Sequence, residues 1–337
     1  MSGVMHPSRF GLRGAPALWL VAATCLAALG PGCGDEASDP LQDGGISGSS
    51  SGKPGTSSGE PGTGSSSSGS SGTSSGDLPD AEPDSPYTVT TESVQAAGIT
   101  HEYVLVIPKE RATATLPIVL AYHGDVGTGD QLRTGWHVEA ASGNAAIVVY
   151  PNQPGGWEVT NQSSGNPFLA GFDAIVAKVA AEHAGDAADV SAVGWSNGGF
   201  FTQILGCWRG AKLRAIGAMA GSYPYDSTST GGQFPNTFPK CEGEVPVAAI
   251  IMHGANDGVG NGALSAVYWT YVNKCSAAPD GCSANTEARS PGFREPCVRF
   301  DDAPAASPVH LCELPGFGHS IWDQSAAAMW EFSRAVP

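Results

Sequence analysis

Basic residues are scarce in this chain. Its 337 residues include 16 Lys and Arg against 32 Asp and Glu, a net charge of −16. Without a basic cluster it has little to offer DNA or RNA phosphates, or an anionic membrane surface. Metal-site signatures are missing too. The cysteines form no C-x-x-C pair, and His123, His253 and His319 show no spacing of the H-E-x-x-H kind, so no metal is expected. The glycine-rich stretch His123-Gly124-Asp125-Val126-Gly127 lacks the G-x-x-x-x-G-K-[ST] and G-x-G-x-x-G patterns that cradle phosphates. No cofactor is called for.

Packing residues are missing from one long N-terminal stretch. Of the 33 residues from Gly44 to Gly76, 25 are Ser or Gly, and Ile46 is the single aliphatic one. Such a run buries too little apolar surface to offset its chain entropy, so it reads as a disordered linker. Nine acidic residues and one lysine between Asp35 and Asp84 place −8 of the net charge there. Ahead of it stand Arg9 and Arg13, then an apolar run of 15 residues, Ala15–Leu29, too short for a membrane span. Small residues and Cys33 follow. This order resembles a bacterial lipoprotein signal, which implies export and a lipid on Cys33 that tethers the chain at a surface. The expected organisation is a signal peptide over 1–32, an acidic Ser/Gly-rich linker over 33–86, and one catalytic domain over 87–337. Those last 251 residues suit one α/β domain better than two.

In that domain, short apolar runs alternate with amphipathic segments. Strands are expected at Tyr103–Ile107, stopped by Pro108, at Leu116–Tyr122, and at Ala145–Tyr150, stopped by Pro151. Further strands are expected at Val190–Gly194, Leu213–Met219, Val245–Met252 and Val309–Leu314. Helices are expected over Ala170–His183, from Gly198 to Leu205, over Ala263–Val272 and over Ser325–Phe332. This alternation predicts an α/β fold with a mostly parallel central sheet and helices on both faces.

The strongest chemical signal is Gly194-Trp195-Ser196-Asn197-Gly198, a G-x-S-x-G between an expected strand and an expected helix. There the chain must turn sharply, and the glycines permit it, leaving the Ser196 hydroxyl at the carboxyl end of the sheet near a helix N-terminus. A serine nucleophile needs a base, and the base an orienting acid. His319, in the loop Pro315–Ser320 before the last helix, is the expected base; His310, inside a strand, and His253, at a strand end where it shapes the turn, read as structural. Asp257, on the loop after Val245–Met252, is the expected acid, with Asp226 and Asp323 as competitors. The backbone N–H groups of Asn197 and of Asp125 or its neighbour are the expected oxyanion donors.

Taken together, His123-Gly124, Gly194–Gly199, His253-Gly254-Ala255-Asn256-Asp257 and Gly318-His319 resemble the feruloyl esterase and polyhydroxybutyrate depolymerase group, which overlaps carbohydrate esterase family one. Tyr268-Trp269, Asn273-Lys274-Cys275 and Val309–Glu313 extend the likeness over residues 100–335. The resemblance implies an α/β-hydrolase that cleaves esters with a Ser196–His319–Asp257 triad. Feruloyl or acetyl esters of plant polysaccharide are the favoured substrates, ahead of a polyester. A serine peptidase and a non-catalytic surface binding protein on the same fold are the readings from other classes. Trp157, Trp195 and Trp322 are candidates to line a substrate pocket, with ordinary core packing as their other reading.

Six cysteines fall in the last 131 residues, and export favours disulfides. Cys207 ends the helix after Ser196, and Cys241 precedes a strand across an irregular loop. A Cys207–Cys241 bond is therefore expected, with Cys275, Cys282, Cys297 and Cys312 pairing among themselves.

Overall fold

A computed structural model describes residues 84–224, 233–234, 238–240, 245–277 and 288–337. The expected signal peptide, Cys33, nearly all of the linker, Asp226, Cys241, Cys282 and the Cys275 side chain lie outside the described residues.

The strands are β1 (Tyr87–Ala96), β2 (Ile99–Pro108), β3 (Leu116–Tyr122), β4 (Ile147–Asn152), β5 (Gly185–Trp195), β6 (Ala215–Met219), β7 (Ala248–Gly254), β8 (Arg289–Pro291), β9 (Cys297–Phe300) and β10 (Val309–Leu314). The helices are α1 (Gly129–Trp136), α2 (Val138–Ser142), α3 (Pro167–His183), α4 (Asn197–Arg209), α5 (Gly262–Ala277) and α6 (Ser325–Ala335). The strands form one sheet in the order β1-β2-β4-β3-β5-β6-β7-β10-β9-β8. The run from β4 through β10 is parallel, and the pairs at both flanks are antiparallel.

Sequence and sheet position agree for a physical reason. Central strands are covered on both faces, so β3, β6 and β7 are almost wholly apolar and buried. Successive side chains of β3 feed opposite cores. Ile118 and Leu120 pack with Phe172 of α3, Phe201 of α4 and Trp269 of α5. Val119 and Ala121 join Leu132 of α1, Val138 of α2 and Met329 of α6. The mostly parallel sheet with helices on both faces is thus the fold observed.

Three expectations need correction. Pro108 is the last residue of β2, opposite Tyr87, so that strand does end there, but Pro151 does not stop its strand: it lies inside β4, opposite Tyr103. At Pro151 strand β4 pairs with β2 only, because its pairing with β3 ends at Val149, so one side of the strand asks for no N–H. The strand expected from Val245 starts at Ala248 and runs on through His253 and Gly254, so these two belong to β7 and not to a turn. Finally, β1, α1, α2, β8 and β9 were not expected. Strand β1 (YTVTTESVQA) alternates between half-buried and exposed positions at the sheet edge and carries few large apolar residues. It joins β2 through Ala97 and Gly98, both at positive φ (50° and 75°), as a two-residue hairpin demands.

Candidate active site

Strand β5 delivers Ser196 to the carboxyl edge of the sheet, and α4 leaves from it. Between them Ser196 sits at φ 55°, ψ −121°, a strained backbone for a residue with a side chain. The Ser196 N–H donates to Met219 O (2.9 Å), and Ser196 O accepts from the Phe200 N–H (3.0 Å). The glycines are needed for close approach. A Cβ on Gly194 would stand 2.2 Å from Gly198 O, and one on Gly198 would stand 2.1 Å from Tyr122 O. The elbow is thus pressed directly onto the end of β3.

The two loops that follow β7 and β10 lie side by side because those strands are parallel neighbours. The Ala255 N–H donates to Leu314 O (2.9 Å) and the Asn256 N–H to Phe317 O (2.8 Å), which stitches one loop to the other. On them, His319 Nδ1 lies 3.1 and 3.0 Å from the two oxygens of Asp257, and His319 Nε2 lies 2.7 Å from Ser196 Oγ. With hydrogen on Nδ1, the ring donates to the carboxylate and accepts from the serine hydroxyl. The Asp257 side chain is fully buried and also accepts from the Val259 N–H (2.8 Å), while the His319 side chain is 30% exposed. Asp323 is exposed and has no contact with the imidazole in this arrangement.

The loop after β3 lies against the elbow: a Cβ on Gly124 would stand 3.3 Å from Ser196 Cβ. Its amides are mostly committed. The Val126 N–H donates to Asp125 Oδ1 (3.1 Å), Gly127 to Gly124 O (3.3 Å) and Thr128 to Gln131 Oε1 (3.1 Å). The Asp125 N–H has no such partner among the described residues. Neither has the Asn197 N–H, as expected in the first turn of α4. The Asp125 and Asn197 N–H groups are thus two uncommitted donors on the two segments that meet at Ser196.

The loop is held by side chains that no local motif marks. His123 is buried. Its Nδ1–H donates to Gly124 O (2.7 Å) and its Nε2 accepts from the Gln153 N–H (3.1 Å), a neutral tautomer that locks the loop. Burial pushes its pKa below the ordinary value, which preserves that neutral form. The Asn197 side chain reaches the other way. It accepts from the Trp157 N–H (2.6 Å) and donates to Trp157 O (3.3 Å). The clamp joins positions 40 residues apart, and no local pattern pointed to it.

Two of the three tryptophans are not pocket residues. Trp157 is 6% exposed, stacks on Phe201 at 5.3 Å and donates from Nε1 to His123 O (2.9 Å). Trp322 is 8% exposed and packs in the core under α6. Both fill volume between elements far apart in sequence, which composition could not show. Trp195 is half-buried, its ring 5.5 Å from the His319 imidazole.

His253 is buried in β7 beneath Gly262, whose Cβ would stand 2.3 Å from His253 Cβ. Its burial, opposed by Asp257, lowers its pKa. His310 is buried between the Phe293 and Phe332 rings. Among the described residues one cluster, Glu92, Glu182 and His183, has metal-like spacing. Lys178 already supplies a cation there, 2.9 Å from Glu92, and the cluster lies on β1 and α3, not on the loops around Ser196. Cys297 and Cys312, opposite each other on β9 and β10, are disulfide-bonded. Cys207 is also disulfide-bonded.

The fold and this arrangement define an α/β-hydrolase equipped for serine-based hydrolysis. No family model matches the chain. It is 28% identical over 223 residues to feruloyl esterase C of Emericella nidulans, covering 63% of this chain and 73% of that protein. It is 24% identical over 264 residues to an Aspergillus clavatus protein named "Probable feruloyl esterase C", covering 72% and 87%. Among solved structures, an acetyl xylan esterase from Aspergillus awamori superposes with a TM-score of 0.54 at 18% identity, over 72% of this chain and 99% of that one. The chain is a carboxylic ester hydrolase, similar to the feruloyl esterase group.

Proposed function

We propose that this protein hydrolyses feruloyl or acetyl esters of plant polysaccharide through an acyl-enzyme on Ser196. The observation that carries the mechanism is the 2.7 Å contact of His319 Nε2 with Ser196 Oγ, with Asp257 on the opposite nitrogen. His319 takes the hydroxyl proton as Ser196 Oγ bonds to the ester carbonyl carbon. The N–H groups of Asp125 and Asn197 hold the resulting oxyanion. As the intermediate collapses, the carbon–oxygen bond to the alcohol breaks and His319 gives that alcohol its proton. Water, deprotonated by His319, then attacks the acyl-enzyme, releases the acid and restores Ser196. Asp257 fixes the tautomer and stabilises the imidazolium. None of these steps calls on a cofactor.

The substrate class is supported by relatives named feruloyl esterase. The N-terminal signal pattern and Cys33 support an exported, lipid-anchored enzyme whose acidic linker lets the domain reach outward. Among the described residues no helix is long and apolar enough to cross a membrane.

Hydrolysis of methyl ferulate, acetylated xylan and polyhydroxybutyrate, measured side by side, tests the proposal. Turnover of either of the first two is expected, and it should vanish in Ser196→Ala. Activity confined to the polyester, or to peptide substrates, refutes the substrate class.

A further inference from the structure

A cavity of about 470 Å³ lies outside the catalytic loops. Its walls come from Arg299 of β9, His310 of β10, Phe332 near the end of α6, and the loops on either side of β9, which supply Phe293, Asp301 and Pro304. The catalytic loops leave the other end of the sheet: His310 precedes Leu314, the last residue of β10, by four positions, or about 13 Å of strand. The volume falls in the range of small-ligand sites.

The wall is two-sided in character. Phe293 is 38% exposed, the one aromatic among the exposed large apolar side chains of the described residues. The His310 ring lies 5.3 Å from it and the Phe332 ring 6.2 Å, both tilted against it. Arg299 and Asp301 supply the polar part. The Arg299 guanidinium and the Ser290 hydroxyl both donate to the same carboxylate oxygen, Asp301 Oδ1, at 3.3 and 2.6 Å. The second oxygen and the remaining guanidinium N–H groups are left to a ligand. His310, only 7% exposed, has a buried Nδ1 without a hydrogen-bond partner, a cost that native interiors seldom leave standing. The Cys297–Cys312 bond ties β9 to β10 beside the cavity and keeps its wall in place.

This chemistry selects its ligand. An anion would meet Asp301 on a chain of net charge −16, and a free cation would meet Arg299. A purely apolar molecule would bury the ion pair without satisfying it. A pyranose answers both halves: its C–H face carries partial positive charge toward the Phe293 ring, and its hydroxyls can donate to Asp301 and accept from Arg299. We propose that the cavity between β9, β10 and α6 is a binding site for a neutral sugar unit of the polysaccharide, separate from the catalytic serine and serving to hold the enzyme on its substrate. It rests on the polysaccharide-directed reading of the active site.

The test uses the folded full chain and deesterified arabinoxylan as probe. Migration is measured in native gels that contain it, alongside turnover of methyl ferulate, which is too small to span both sites. The chain is expected to be retarded by arabinoxylan. Phe293→Ala and Asp301→Asn should each weaken that binding by at least about tenfold, as befits one lost stacking face or one lost charged acceptor, with kcat/KM on methyl ferulate unchanged. Asp301→Asn preserves volume, so it reports even where Phe293→Ala fails to fold. Absence of retardation in the parent chain, or unchanged retardation in Asp301→Asn, overturns the site. Failure of the active-site reading looks different: retardation persists, and neither methyl ferulate nor acetylated xylan is cleaved.

Discussion

Ser196 carries a conflict that only function explains. Its positive φ costs on the order of 1–3 kcal/mol, yet that backbone is what turns the hydroxyl toward His319. Ser196→Ala is expected to lower kcat by as much as about 10⁶-fold while leaving the fold intact, measured by steady-state turnover and circular dichroism. Asp257→Asn is a subtler change. It keeps the volume but offers His319 Nδ1 an amide in place of a carboxylate, so the wrong tautomer competes and kcat should fall by about 10⁴-fold. Equal activity in that variant would transfer the orienting role away from Asp257. Both positions were legible in the sequence, because a G-x-S-x-G and a loop aspartate after an apolar strand are local patterns. The Asn197 clamp on Trp157 was not legible, since it joins residues 40 positions apart.

At the scale of elements, the elbow depends on contact between β3, β5 and α4. Gly194→Ala would drive a methyl group into Gly198 O, which lies on the backbone and cannot step aside. A loss of more than about 2 kcal/mol of stability is expected, read from urea unfolding. Cys207, near the end of α4, is disulfide-bonded. We expect Cys241 to be its partner, with about 3–4 kcal/mol contributed by loop closure. Peptide mapping without reductant checks it, and a free thiol at Cys241 or a crossing to Cys297 or Cys312 refutes it. Helix α1 shows a missed but readable signal. Thr128 and Gln131 form a capping box, with Gln131 N–H to Thr128 Oγ1 at 3.2 Å and Thr128 N–H to Gln131 Oε1 at 3.1 Å, a T-x-x-Q pattern present in the sequence. Strands β8 and β9 had no such signal. They are three and four residues long and exist because β10 offers an edge to β9, and β9 in turn offers one to β8.

For the whole molecule, buried histidines set the acid limit. Burial, with Arg299 adding to it, holds the His310 pKa down at about 4 against an ordinary 6.5. The unfolded chain therefore takes up this proton first as pH falls. The stability due to neutral His310 is present in full above pH 6.5 and is lost as pH drops toward 4, on the order of 2–3 kcal/mol. His123 and His253, also lowered by burial, act in the same direction. Urea midpoints at pH 7, 5 and 4 should decline, and His310→Phe should flatten the decline. An unchanged slope in that variant assigns the acid sensitivity elsewhere.

Local residue patterns were enough to show which segments are buried and where the chain must turn. Apolar runs bury wherever they end up, and glycines and a strand-flanked serine demand a sharp elbow whatever surrounds them. That was enough for the α/β class, the central strands and the nucleophile, base and acid candidates. The tertiary structure decided everything that depends on which distant segments meet. It set the strand order that lays the β7 and β10 loops side by side and so brings Asp257 to His319. It took Trp157 and Trp322 into the core, and it opened a cavity beside His310. Those outcomes are settled by packing between elements far apart in the chain, where no local pattern of residue types records the neighbour.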